Sequence, residues 1–119
     1  MSKILLAEDD EAMRLFLAAS LRRAGHDVQD YEDGEGALEA REREVFDLLL
    51  TDIVMPGIDG IELARRGAEL DPAMKIVFIT GFAAVALAGG APPPAGAKVL
   101  SKPFHLRELV TEVERVMAA

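Results

Sequence analysis

Residues able to do chemistry together are scattered along this chain: Glu8, Asp9 and Asp10 in "LLAEDD", Asp52 in "LLLTDIVMPGIDG", Thr80 in "IVFITG" and Lys102 in "LSKPF". Carboxylates gathered in one pocket repel one another, and a hard divalent cation relieves that repulsion. An all-oxygen donor set suits magnesium, which keeps several waters and takes one or two carboxylates together with phosphate oxygens. With the metal bound, Asp52 can act as a nucleophile towards a phosphoryl group. Thr80 could then hydrogen-bond a phosphoryl oxygen, and Lys102 could neutralise one. Each residue alone has a plainer reading. Asp52 could be a turn residue, and the acids could simply favour a helix N-terminus through its dipole. Thr80 could be a buried hydroxyl bonded to backbone, and Lys102 a solvated surface charge. The chemistry depends on their converging.

The elements that would make them converge are legible as short apolar runs alternating with helical patterns. "KILLA" reads as a first strand, and the acidic cluster follows it. Met13, Phe16, Leu17, Leu21 and Ala24 have helical spacing, with Gly25 where the helix would stop. A weak second strand covers about residues 27 to 30. Residues 34 to 44 form a charged helix with Ala37, Leu38 and Val45 towards the core. "FDLLLT" has no polar alternation, so it reads as a third strand buried on both faces. A helix from about Ile58 to Leu70 ends at Asp71-Pro72. "KIVFIT" and "KVL" are the fourth and fifth strands. Residues 104 to 118 make the last helix, with Leu106, Leu109, Val110, Val113 and Met117 on one stripe. Five strand-then-helix repeats predict a doubly wound parallel sheet with helices on both faces. Sites in such sheets lie beyond the carboxyl ends of the strands, where the candidate residues stand. Asp9 is the preferred direct metal ligand because it follows Glu8 at the strand end. Asp10 is the alternative register, better placed to cap the next helix.

Bulk properties narrow the function further. The 119 residues suit one domain, expected to be a single unit with no effector domain. Half of them are hydrophobic, enough for a real core. A formal charge of −8 argues against direct nucleic-acid binding. No cysteine is present, which excludes disulfides and zinc-thiolate sites and fits a cytoplasmic protein. The N-terminus lacks a signal-peptide plan. Ile76 to Ala97 carries no formal charge, but Thr80, four glycines and Pro92 to Pro94 break it up, so no membrane span is expected.

"AEDD", "DIVMPGIDG", "IVFITG" and "LSKPF" together resemble the receiver domain of two-component response regulators, over the whole chain. Asp9 to Asp52 is 43 positions, Asp52 to Thr80 is 28 and Thr80 to Lys102 is 22, in the family's order. The resemblance implies a flavodoxin-like (βα)5 fold with strand order 2-1-3-4-5. It implies Asp52 as phosphoacceptor and Asp9 as a direct magnesium ligand. Glu8 would assist, directly or through water, and the backbone carbonyl of Val54 would complete the protein ligands. Thr80 and Lys102 would hold the phosphoryl group. Lys102-Pro103 would be a cis peptide, and Pro56, Gly60 and Gly81 would shape the site's loops. The phosphodonor would be a histidine kinase or histidine phosphotransfer protein.

The sequence departs from the family pattern in two places. The position three before the lysine, often aromatic, is Val99, so output by aromatic rotation is in doubt and movement around Thr80 becomes the better candidate. In "GFAAVALAGGAPPPAG" the glycines and prolines cannot continue a helix. About two turns from Phe82 to Ala88 are expected, then an irregular loop. Its apolar character is read either as a poorly ordered, small-residue helix lying flat on the sheet or as a docking surface for a partner. Phe82, Val85, Leu87, Val99 and Phe104 are the expected output surface. "TGFAAVAL", "DIVMPGIDGIELARR" and "KVLSKPFHLRELV" look particularly like the CpdR-type single-domain regulators of alphaproteobacteria. That likeness implies a cell-cycle role in which the unphosphorylated form primes the ClpXP protease (ClpX and ClpP) for selected substrates. Two competing readings within the family are a phosphate shuttle and a phosphorylation-independent pseudo-receiver. An aspartate-nucleophile phosphatase would usually need an acid two positions after Asp52, where Val54 cannot move a proton. His26 and His105 have no partner pattern and are expected at the surface.

Overall fold

The computed structural model describes residues 2–81, 96–102 and 104–118. In chain order the elements are β1 (Lys3–Ala7), α1 (Glu11–Arg23), β2 (Asp27–Tyr31), α2 (Gly34–Arg43) and β3 (Leu48–Asp52). They continue with α3 (Gly60–Leu70), β4 (Lys75–Thr80), β5 (Lys98–Ser101) and α4 (Leu106–Ala118). The strands form one parallel sheet in the order β2-β1-β3-β4-β5, the expected flavodoxin-like arrangement. The fourth helix expected from Phe82 to Ala88 lies outside the described residues. So do the expected output residues Phe82, Val85 and Leu87, and Pro103 with its peptide bond.

The central strand explains the layering. Every residue of β3 is buried, and the pleat sends alternate side chains to opposite cores. Leu49 joins Leu5, Ala37, Phe46, Leu63 and Phe78 on the side of α2 and α3. Leu48 and Leu50 join Leu6, Leu17, Leu21, Ile79 and Val113 on the side of α1 and α4. An unbroken apolar run is therefore what a strand covered on both faces requires.

Each of α1, α2 and α3 starts directly after an aspartate that caps it. Asp10 accepts from Met13 N at 3.1 Å, Asp33 from Gly36 N at 2.7 Å and Asp59 from Glu62 N at 2.8 Å. The caps mark where each chain segment leaves the strand end and turns into the covering helix. At the far end of α1, Gly25 has φ +100°, a backbone conformation that favours glycine.

Several sequence expectations are corrected. On α1 the buried face is Leu17, Ala18 and Leu21, whereas Phe16 is 53% exposed and Ala24 is exposed too. Val45, expected towards the core, is 64% exposed, because the chain turns at the end of α2 and Phe46 fills the interior instead. Helix α3 begins at Gly60 rather than Ile58, since Asp59 is its cap. On α4, Val116 is buried, while Val110 is only half-buried. His26, expected at the surface, is half-buried with both ring nitrogens inaccessible, whereas His105 is exposed as expected. No helix among the described residues is long and apolar enough to cross a membrane.

Candidate functional site

Strand register brings the distant residues together. Ala7 lies beside Thr51, Asp52 beside Ile79, and Thr80 beside Ser101. The strands therefore end nearly level, and Glu8, Asp52, Thr80 and Lys102 share one edge although Glu8 and Lys102 are 94 positions apart.

The lysine is the hub of this edge. Its Nζ donates to Glu8 Oε1 at 2.8 Å and to Asp52 Oδ2 at 3.0 Å. The other Asp52 oxygen, Oδ1, accepts from the Val54 backbone N–H at 3.2 Å. Thr80 is 1% exposed, and its carbonyl accepts from the Lys102 backbone N–H at 2.8 Å, which fixes the lysine's starting point. Glu8 is fully buried and Asp52 is 8% exposed.

Burial shapes the electrostatics. It pushes the Glu8 carboxyl up to about 7; the Lys102 hydrogen bond pulls against this, and the neighbouring Asp52 adds to the rise. For Lys102 burial works downwards, but hydrogen bonds to Glu8 and Asp52 outweigh it and hold the ammonium above its ordinary value. One ammonium thus holds two crowded carboxylates.

Ligand oxygens of Glu8, Asp9 and Asp52 all lie within 4.8 Å of one another, with Asp9 exposed and the other two buried. This donor set is all oxygen and carries more negative charge than one lysine offsets, which fits a hard divalent cation. Asp10 points its carboxylate to the α1 cap, and its backbone N–H reaches Glu8 Oε2 at 3.5 Å.

The loop after Asp52 is shaped by glycine at two points. Gly57 has φ +77°. A Cβ at Gly60 would fall 2.0 Å from the Asp52 carbonyl oxygen, and the Gly60 N–H donates to Ile53 O at 2.8 Å. Gly60→Ala is expected to cost about 1–3 kcal/mol, because the Asp52 backbone must move to admit a methyl group. Gly81→Ala meets open space and should stay within about 0.5 kcal/mol of wild type. Urea denaturation of both variants checks the contrast; equal stability would remove the steric argument.

The side chains of Pro56 and Val54 are exposed beside the site, Val54 at 55%. Val99 is 39% exposed on the edge strand β5, and Phe104 is half-buried against the α1/α4 core. One contact was not anticipated from sequence: Arg14 Nη1 donates to the Glu8 carbonyl at 3.0 Å. The signal available was weak, a cation on the helix directly following the acids.

Residues 4–114 match the response regulator receiver domain. The chain belongs to that family. Among curated relatives, this receiver domain is 59% identical over 119 residues to the response regulator receiver protein CpdR of Brucella abortus, covering 100% of the chain and 99% of that protein. It is 36% identical over 117 residues to the sensor kinase CckA of the same organism, covering 96% of the chain but 12% of the kinase. A solved response regulator receiver protein from Sinorhizobium medicae superposes with a TM-score of 0.90 at 33% identity, covering 99% of this chain and 95% of that one. In each case the likeness runs along 96% or more of this chain.

Proposed function

We propose that this receiver domain is a phosphorylation-switched response regulator whose phosphoacceptor is Asp52. The observation that carries the reading is the single cluster of Asp52, Lys102 and Glu8 at the sheet edge, within 3.0 Å contacts of one ammonium. Asp52 attacks the phosphorus of a phosphohistidine on a histidine kinase or phosphotransfer protein. The P–N bond breaks as the P–O bond to the Asp52 carboxylate forms, and the histidine nitrogen takes up a proton from solvent. Lys102 moves its charge from Glu8 towards the new phosphoryl group, and the Thr80 hydroxyl donates to a phosphoryl oxygen. Water later hydrolyses the acyl phosphate, and the exposed Val54 and Gly81 border the path it takes. Asp9, Asp52 and the Val54 carbonyl would hold magnesium, with Glu8 assisting; the ion, when bound, offsets the crowded negative charge.

The full-length likeness to CpdR supports a further step: the domain controls ClpXP-dependent proteolysis in the cell cycle, acting in the cytoplasm through protein contacts. Val99, Phe104 and the segment from Phe82 to Leu87 would carry the output. Incubation with a small phosphodonor tests the chemistry. A magnesium-dependent phosphoprotein that loses its label to hydroxylamine supports an acyl phosphate, and a label stable to hydroxylamine rejects it. Pull-down of each phospho-form with ClpX tests the output. Binding confined to the unphosphorylated form supports the adaptor role, whereas transfer of label to another histidine protein favours a phosphate shuttle.

A further inference from the structure

We infer that Arg14 is a positioning residue for the acidic pair, acting through the backbone carbonyl of Glu8; the inference rests on the proposed magnesium site. Strand β1 ends at Ala7, and the Glu8 backbone lies just beyond it. Its N–H donates to the Tyr31 carbonyl at 3.1 Å, and its carbonyl accepts from Arg14 Nη1 at 3.0 Å. The arginine therefore orients the peptide plane from which Asp9 departs. It is itself anchored, with Nε 3.4 Å from Asp30 Oδ2 and a side chain only 12% exposed. Asp30 is braced in turn by Arg22 Nη2 at 3.2 Å, which also reaches the Val28 carbonyl at 2.7 Å. The guanidinium serves the carbonyl and the carboxylate from two different nitrogens, Nη1 and Nε, in one rigid plane, whereas a lysine offers all its N–H groups from a single atom on a flexible stem.

Three carboxylates within 4.8 Å of one another make the site sensitive to small rotations of the Glu8–Asp9 peptide. Outer partners that orient ligands typically affect metal affinity by about 10–100-fold. A purely structural role, tying α1 to β2, would be shared with Arg22, which grips the same Asp30 without touching Glu8. That difference makes the idea testable.

The experiment is a magnesium titration without phosphodonor, by calorimetry, on wild type, Arg14→Met, Arg14→Lys and Arg22→Met, with thermal stability recorded for each. Arg14→Met should raise the magnesium Kd about tenfold or more, with Arg14→Lys between it and wild type and Arg22→Met within about twofold of wild type. At a fixed magnesium concentration, the metal-induced rise in Tm should shrink in the same order. Equal weakening by Arg14→Met and Arg22→Met, or an unchanged Kd in Arg14→Met, overturns the inference. If Arg14→Met does not fold, the comparison of Arg14→Lys with Arg22→Met decides by the same criteria. A wild type that binds no magnesium overturns the proposed site and this inference with it. A wild type that binds magnesium no better than Arg14→Met overturns this inference alone.

Discussion

Asp52→Asn is expected to abolish magnesium-dependent phosphorylation, leaving less than about a thousandth of the wild-type rate. The amide keeps the shape of the side chain and can still accept the Val54 N–H through Oδ1, 3.2 Å away in wild type. It has no anionic oxygen to attack phosphorus, and its nitrogen cannot accept from Lys102. The change therefore removes the nucleophile and one of the two acceptors of Lys102 while preserving packing around a residue that is 8% exposed. Phosphoprotein gel mobility with a small phosphodonor, with and without magnesium, reads the result. Persistence of a magnesium-dependent shift in a folded Asp52→Asn protein would falsify the assignment of Asp52.

Glu8 should make the metal-free protein lose stability as pH rises towards neutrality. Its folded carboxyl sits at about 7 against an ordinary value of 4.5. Between those values the folded state holds a proton that the unfolded state has released, so stability falls with rising pH. The contribution is fully present below pH 4.5, and is lost as pH rises through about 7. Across pH 5 to 8 the difference in unfolding free energy between wild type and Glu8→Gln should change by about 2–3 kcal/mol, wild type losing ground as pH rises. The cause is the charge that Glu8 must carry at full burial beside Asp52, only partly offset by Lys102. Magnesium should reverse the trend for wild type, because it favours the ionised carboxyl, and its apparent affinity should weaken by up to about tenfold per pH unit below 7. Urea denaturation at each pH, without metal and with it, measures both. A wild-type to Glu8→Gln difference that does not change with pH would remove burial as the cause.

Much of this is legible in the amino-acid sequence. The apolar run Leu48 to Leu50 marks a strand buried on both sides, and it proved to be the central one. The level strand ends followed from the alternation of elements, because parallel strands must all finish on the same edge. Helix faces are less legible. Phe16 and Val45 are apolar yet exposed, and Val116 is buried although it falls outside the stripe of Leu106, Leu109, Val110, Val113 and Met117. A period of 3.6 residues allows neighbouring stripes, and only contact with the sheet chooses between them.

Residue types and spacing thus set the parallel sheet with its alternating helices, the Asp10 cap and the gathering of Glu8, Asp9, Asp52, Thr80 and Lys102 at one edge, since these depend on local chemistry and on chain direction; the strand order came from the family resemblance, and the caps Asp33 and Asp59 from the structure. Tertiary packing decided the rest. It placed Lys102 between Glu8 and Asp52, removed water from Glu8 and so raised its pKa, pressed Gly60 against the Asp52 carbonyl, and set Arg14 against the Glu8 backbone. Those outcomes depend on distances of a few ångströms between segments far apart in the chain, and on how fully the covering helices exclude solvent. No local pattern of residues encodes either quantity.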